Sequence, residues 1–580
     1  MPIILMLVLA LAACSGDGGG NGASSGFSLE SNNITVEVEH GQELAPFAIN
    51  GSLVNVGDEA YGSATLQYSS RVIDRKYFLR IDDATAQLII VPNYVHLITP
   101  GVYHDEIIVS VCVDSTCNQQ VPGSPQTVTL DVTVKDSKPL PSIRIFDTGV
   151  AFVVMPGMSK LTRSLPVEEI GDNPQGWTAV SHQPDWLSVT PNGTGQDPMV
   201  ISANPANLPD GFYMGSITIT ANNPDVLNTE TIKVGLYVSS VTSVTESVQL
   251  RSDVACLKED PIRPIVYVCY GAQSTIDAYH IYTGELINSY AIENARIDAL
   301  TISDDGSVLY ALGNTGSSVR RINLETSTMM EPHTFADYDL RDLGNSIIFT
   351  RVNQMPVLIL SDFEYEAENP FGLPSLGGRT NMMPIIHADT GEYLGKLYPS
   401  SQIDSIMTAS QDGKALFSIE KNISGIQSPL AYNLSVNSLG NVNGYEIRYP
   451  FLDSLAGINT GRGHDIATNL AGDRFYALYH SMLSATFTGS DYVMENPLPS
   501  ATTEYYSNIE VNPYGNIVAS TLSKIYIYND NESLIGEADA AIADDVLRLS
   551  GDGLRIIYPE SASSQVPNGT VLRLLDLPAN

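Results

Sequence analysis

An all-β fold is what this sequence predicts, and three observations predict it. From about Asp253 to the C-terminus one short pattern recurs: an alternating strand, a tight turn on Asp-Gly or a relative, and a second strand rich in Ile, Val, Tyr and Phe. Ahead of it, two segments alternate apolar and polar residues over runs of strand length. No stretch reads as a helical α/β unit. The copies of the pattern are ISDDGSVLYAL (302–312), LRDLGNSIIFTRV (340–352), ASQDGKALFSI (409–419), NLAGDRFYALY (469–479), VNPYGNIVAST (511–521) and LSGDGLRIIY (549–558), with a degenerate one first, EDPIRPIVYVCY (259–270). Repeats about 40 residues apart, each worth a few strands, mark a ring of stacked sheets, because one such unit cannot bury both of its faces alone. The expectation is two β-sandwiches, 27–136 and 141–240, followed by a seven-bladed β-propeller over 242–580.

Size and charge narrow the function classes. At 580 residues the chain is too long for one core, and 29 Lys+Arg against 65 Asp+Glu leave a net charge of −36. Such a surface repels phosphate backbones, so nucleic acid is a poor partner. The charge is spread along the chain with no acidic tail, which suits a solubilising surface and a monomer.

Taken in order, the chain opens on an apolar run, Ile3 to Ala13, of signal-peptide length and too short to span a bilayer. No Lys or Arg precedes it. The run ends in Leu11-Ala12-Ala13-Cys14, which resembles a bacterial lipobox. The resemblance implies cleavage after residue 13, a lipid on Cys14 and, with Ser15 following, an outer-membrane anchor in the cell envelope. Residues 15–26, full of Gly and Ser, then read as a flexible tether. The other four cysteines fall in two close pairs, Cys112 with Cys117 and Cys256 with Cys269. Neither pair has CxxC spacing or a nearby His at ligand spacing, so both read as disulfides, suited to an oxidising compartment.

In 27–136, Ile34-Thr35-Val36-Glu37-Val38 alternates and Thr127 to Val134 reads as a closing strand. Pro100-Gly101-Val102-Tyr103, followed by the run Ile107 to Cys112, resembles the penultimate strands of bacterial immunoglobulin-like modules. Ser137-Lys138-Pro139-Leu140-Pro141 is a linker stiffened by its prolines. In 141–240, Pro184-Asp185-Trp186-Leu187-Ser188-Val189, then Leu208-Pro209-Asp210-Gly211-Phe212-Tyr213-Met214-Gly215, then Ile232 to Val238 is similar to the BACON family of bacterial envelope and secreted proteins. That likeness implies an immunoglobulin-like fold and an association with carbohydrate. Trp177 and Trp186, the protein's two tryptophans, read as core plugs rather than sugar platforms, since such platforms come in exposed sets. The repeats that follow resemble the broad class of WD40-like and YVTN-like propellers, without the Trp-Asp signature. The last repeat ends on a third strand, TVLRLLDL (570–577), and Val244 to Leu250 is placed to donate the missing one and leave no open edge.

Several residues are candidates for function. Asp298, Asp404, Asp465 and Asp545 precede turn glycines by seven to nine residues; Asn508 holds the similar place in the sixth repeat, and Asp253 and Asp337 are weaker equivalents. Gathered at one channel mouth with His464, they would offer a site for a cation, calcium being the one to consider, or for a cationic or polyhydroxylated ligand. Against this, Asp at a strand start commonly caps backbone N–H groups, and the offset slips by a residue between repeats, which reverses the facing of a strand side chain. The long acidic and aromatic insertion with Phe363, Tyr365, Glu366 and Phe371 is a candidate partner loop. No Gly-x-Ser-x-Gly or His-Glu-x-x-His occurs, so no catalytic residue and no cofactor are assigned. The reading is a non-enzymatic envelope lipoprotein that presents its propeller to an extracytoplasmic protein or glycan. Its rivals are a propeller enzyme, lactonase-like or quinoprotein-like, working at the channel mouth, and a passive scaffold.

Overall fold

The computed structural model describes residues 26–577 apart from 40–46, 55–59, 69–72, 82–84, 93–99, 115, 136–140, 172, 195–196, 227, 242–243, 272, 293–295, 314–317, 335–345, 362, 366–379, 398–404, 411–412, 421–429, 437–441, 448–464, 470–471, 479–481, 488–491, 495–505, 544–545 and 561–569. Among the described residues every regular element is a β-strand. The chain separates into two compact units, Met1–Lys135 and Asp136–Asn580.

In the first unit two four-stranded sheets face each other. One has the spatial order Gly26–Leu29, Phe47–Val54, Thr85–Pro92, Ile73–Ile81, and the other Asn33–Glu39, Gln126–Lys135, Gly101–Cys112, Tyr61–Tyr68. The alternation seen in the sequence is the alternation of burial: Ile107, Val109 and Val111 point into the core against Val36, Val132, Leu88 and Ile90. Cys112 and Cys117 are bonded, with Cα atoms 5.1 Å apart.

The second unit begins with another pair of facing layers. A six-stranded sheet runs Met158–Lys160, Gly149–Met155, Thr229–Val238, Gly211–Ala221, Trp177–Ser181, Asn192–Gly193; opposite it lie a three-stranded sheet and the pair Ser142–Ile145 with Val167–Ile170. Trp177 and Trp186 both fill its core. Gly193 is required there, because a Cβ would stand 2.4 Å from the Trp177 ring. Tyr213 Oη donates to the Pro209 carbonyl four residues upstream at 2.8 Å, tying the strand's start to the loop before it.

Among the described residues seven antiparallel sheets follow. The first runs Val254–Glu259, Ile265–Tyr270, Gln273–His280, Leu286–Ala291, and the next five repeat that order. In the third an extra strand, Phe363–Tyr365, pairs with Thr380–Met382. The seventh has Arg548–Leu549, Arg555–Pro559 and Val571–Asp576, and takes its fourth strand, Ser247–Gln249, from ahead of the first sheet. The first strands of sheets two to six are Ile297–Ile302, Ile347–Val352, Ser405–Ala409, Asp465–Thr468 and Asn508–Val511. Each first strand lies against the first strand of the next sheet, and that of the seventh lies against that of the first.

The repeated turn has one mechanism. In five sheets a glycine at positive φ (Gly306, Gly413, Gly472, Gly515, Gly553) donates its N–H to the carbonyl three residues earlier, on Ser303, Ser410, Asn469, Asn512 or Ser550. That Ser or Asn side chain then accepts from the backbone at the start of the second strand, as Ser303 Oγ does from Val308 N at 2.9 Å and Asn469 Oδ1 from Arg474 N at 3.1 Å. Asp260 takes the same place in the first sheet, accepting from Ile262 N and Arg263 N. A short polar acceptor and a glycine free to adopt positive φ are thus the chemistry of the repeat.

The third sheet departs from the sequence expectation. Its first hairpin turns at Asn353-Gln354, both at positive φ, between Ile347–Val352 and Met355–Leu360. The segment 340–352 therefore supplies a first strand rather than a turn and second strand, and Gly344 lies ahead of it, outside the described residues. A two-residue turn with both central residues left-handed needs no Asp-Gly, and Asn tolerates it.

Candidate functional site

Each first strand has a start, where the predicted acids lie, and an end, where the repeated turn lies. At the starts, Asp253 is exposed just ahead of its strand. Asp298 pairs with Arg296 Nε at 3.0 Å; burial raises its carboxyl and Arg296 offsets part of that. Asp465 accepts from its neighbour Ile466 N and, across to the sixth sheet, from Ile509 N, each at 2.9 Å. Asn508 is buried and donates its amide to the hydroxyls of Ser507 and Ser520, both at 3.0 Å. These three side chains engage local partners or a neighbouring strand's backbone. Asp337, Asp404, His464 and Asp545 lie outside the described residues, as does Cys14. Among the described residues no three His, Cys, Asp or Glu side chains gather closely enough to hold a metal ion.

Further along the same strands the structure brings together charges that the turn-glycine spacing missed. Glu510 of the sixth sheet pairs with Arg548 of the seventh at 2.7 Å, and Lys258 with Glu259 of the first at 2.7 Å. Burial pushes the Glu510 carboxyl up to about 7; Arg548 opposes that, while Glu259 and Asp465 add to it. First strands of four sheets (five, six, seven and one) thus turn charge toward one another. A carboxylate there holds a proton near neutrality against a fixed guanidinium, which suits proton storage or a hydrogen bond to a polar guest. The signal in the sequence was a charge inside an otherwise apolar strand, as in Leu547-Arg548-Leu549.

The remaining predicted residues are placed as follows. Cys256 and Cys269 face each other on adjacent strands of the first sheet and are bonded, with Cα atoms 5.1 Å apart. Phe363 and Tyr365 belong to the extra strand of the third sheet. Glu366 and Phe371 lie outside the described residues.

No protein-family profile matches the chain, and no curated protein matches it. Among solved structures the chain is similar to hydrazine synthase of Kuenenia stuttgartiensis, at 12% identity and a TM-score of 0.41, over 59% of this chain and 100% of that chain. A likeness of that size bears on neither chemistry nor partners.

Proposed function

We propose that this chain is a lipid-anchored envelope protein whose seven sheets form a closed, seven-bladed β-propeller that binds an extracytoplasmic protein. The observation that carries the reading is the circuit of first strands, which returns from the seventh sheet to the first and is fastened by Ser247–Gln249. A ring built this way leaves no open sheet edge at its seam and offers a rigid rim for recognition loops.

The two sandwiches are read as immunoglobulin-like, the second BACON-like. Support comes from the Tyr213 to Pro209 bond, which has the form of a tyrosine corner, and from two tryptophans in one sandwich core. With both tryptophans internal, the sandwich lacks an indole platform for sugar stacking, and this favours a protein over a glycan as partner. The acyl group would sit on Cys14, at the outer membrane, with two disulfides suiting the oxidising side.

The test has two arms. Palmitate labelling in cells should be lost in Cys14→Ser. Lipid-free protein should retain an envelope protein in a pull-down while a glycan array stays blank. A blank pull-down with a strong glycan hit would reverse the partner class, and blanks in both would leave a passive scaffold.

A further inference from the structure

The turn ends of the first strands are shielded at most of their glycines, although Lys414 and Asp473 are exposed. In a free ring, hairpin tips at one end would meet water, yet Gly306, Gly413 and Gly553 are buried, and Ile262 is 1% exposed. The three glycines pack against the turn of the preceding sheet, at Ile262, Arg351 and Tyr514. Over those turns lies the sandwich of the same unit. Its Gly235 lies so close to the first-sheet turn that a Cβ would stand 1.9 Å from the Ile262 carbonyl oxygen, and a Cβ on Gly149 would stand 2.2 Å from that of Asp304 in the second. Glu230 pairs with Arg351 of the third sheet at 2.8 Å, and Glu168 with Lys414 of the fourth at 3.2 Å. On the far side, the Lys160 ammonium sits 4.1 Å from the ring centre of Tyr514 in the sixth.

The third and sixth sheets are three steps apart, which is as far as a ring of seven allows. A single body that touches turns on both must cross the axis. Between those contacts the sandwich places the buried ion pair of Asp147 with Arg163 and buried Thr148, with Asp147 within electrostatic reach of Arg351 on one side and of Tyr514 on the other.

We infer that the sandwich 141–240 is a built-in plug across the turn end of the ring, closing that end of its axis. The inference rests on the ring reading above and deepens it. With the turn end closed, no ligand threads through the ring.

Full-length, lipid-free protein tests this with engineered cysteines and a short bis-maleimide, since the four native thiols described here are already in disulfides. One variant carries Glu168→Cys with Lys414→Cys and Lys160→Cys with Tyr514→Cys; a second carries Gln249→Cys with Val571→Cys, across the seam of the ring. Peptide mass mapping should find both sandwich-to-ring links in the same molecule, in most of the population and independent of protein concentration. A link on one side only would mean that the sandwich hangs from one rim, and the plug is overturned. A missing seam link would instead overturn the ring. Both links present, with the seam intact, support the inference.

Discussion

Removing Arg351 should destabilise a sandwich it does not belong to. Its guanidinium, on the third sheet, pairs with Glu230 of the sandwich at 2.8 Å and with Asp304 of the second sheet at 2.9 Å. Burial raises both carboxyls, that of Asp304 to about 6, and Arg351 opposes the rise in each. Arg351→Ala strands two largely buried carboxylates, and breaking such a pair costs about 3 kcal/mol. With a guanidinium slope of about 6 kcal/mol/M for a unit this large, the midpoint falls by roughly 0.5 M. The reporter is already in place, because the protein's only tryptophans, Trp177 and Trp186, both lie in the sandwich core. Their emission follows the sandwich, and far-UV circular dichroism follows all strands. Both midpoints should fall together, and Glu230→Gln with Asp304→Asn should recover part of the loss. The pH sign is fixed too. A carboxyl raised above its unfolded value contributes stability that is present at low pH and lost as pH rises through the folded value, so the defect should be larger at pH 8 than at pH 5. A tryptophan midpoint unmoved by Arg351→Ala would mean that the sandwich is energetically independent of the ring.

Three further outcomes are expected. Arg555→Ala should cost about 4 kcal/mol in chemical unfolding and expose the seam to protease, because this fully buried guanidinium bonds the carbonyls of Thr245, Leu574 and Ile281 and pairs with Asp576. A loss under about 1 kcal/mol would show that the seam does not depend on it. Gly413→Ala should cost more than about 3 kcal/mol, since a Cβ would fall 1.5 Å from the Arg351 carbonyl oxygen, whereas Gly157→Ala, at similar positive φ with nothing within 4 Å, should cost only about 1–2 kcal/mol. Equal midpoints for the two would refute the close approach. His280 is held at about 4 by burial, with Nδ1 accepting from Tyr282 N and Thr283 N, each at 3.2 Å. Its depressed folded value contributes stability present above about 6.5 and lost as pH falls toward 4, on the order of 2 kcal/mol. His280→Asn should remove that acid loss and keep the midpoint at pH 7, because Asn323 makes the same two turn bonds in the second sheet; a variant as acid-sensitive as the parent would refute the assignment.

The all-β class was legible because strand alternation and turn chemistry are local. Ile107, Val109 and Val111 announce their inward face two residues at a time, and Ser303 with Gly306 announces a hairpin within four. The Asn353-Gln354 turn was missed because the pattern sought glycine, while an Asn-led turn reaches left-handed backbone without one. Of the Glu510 cluster only Asp465 was among the predicted acids; its other members come from three sheets, and nothing local in 258–259, 510 and 548 says that they meet. The same holds for Glu230 with Arg351, which are 121 residues apart.

That last pair also joins two segments that the sequence reading treats as separate domains. A proline-rich stretch such as 137–141 marks where the chain leaves one body, and the compact units do divide at Lys135. The short joint near residue 242 carries no comparable mark of continuity, yet Val153 and Met155 of the sandwich share one core with Val248, Leu257 and Val268 of the ring. Apolar residues that read as the sandwich's own interior or as its surface are, in part, an interface. A chain whose second sandwich were only a spacer would gain nothing by burying Ile262 against Gly149 and Gly235, two positions where any side chain would strike the backbone of the ring or its turn. Close approach at two glycines, ion pairs to the third and fourth sheets, a cation–π contact to the sixth and a shared apolar core are separate contributions that all favour one seated arrangement. A hinge between these two bodies would have to break all of them together.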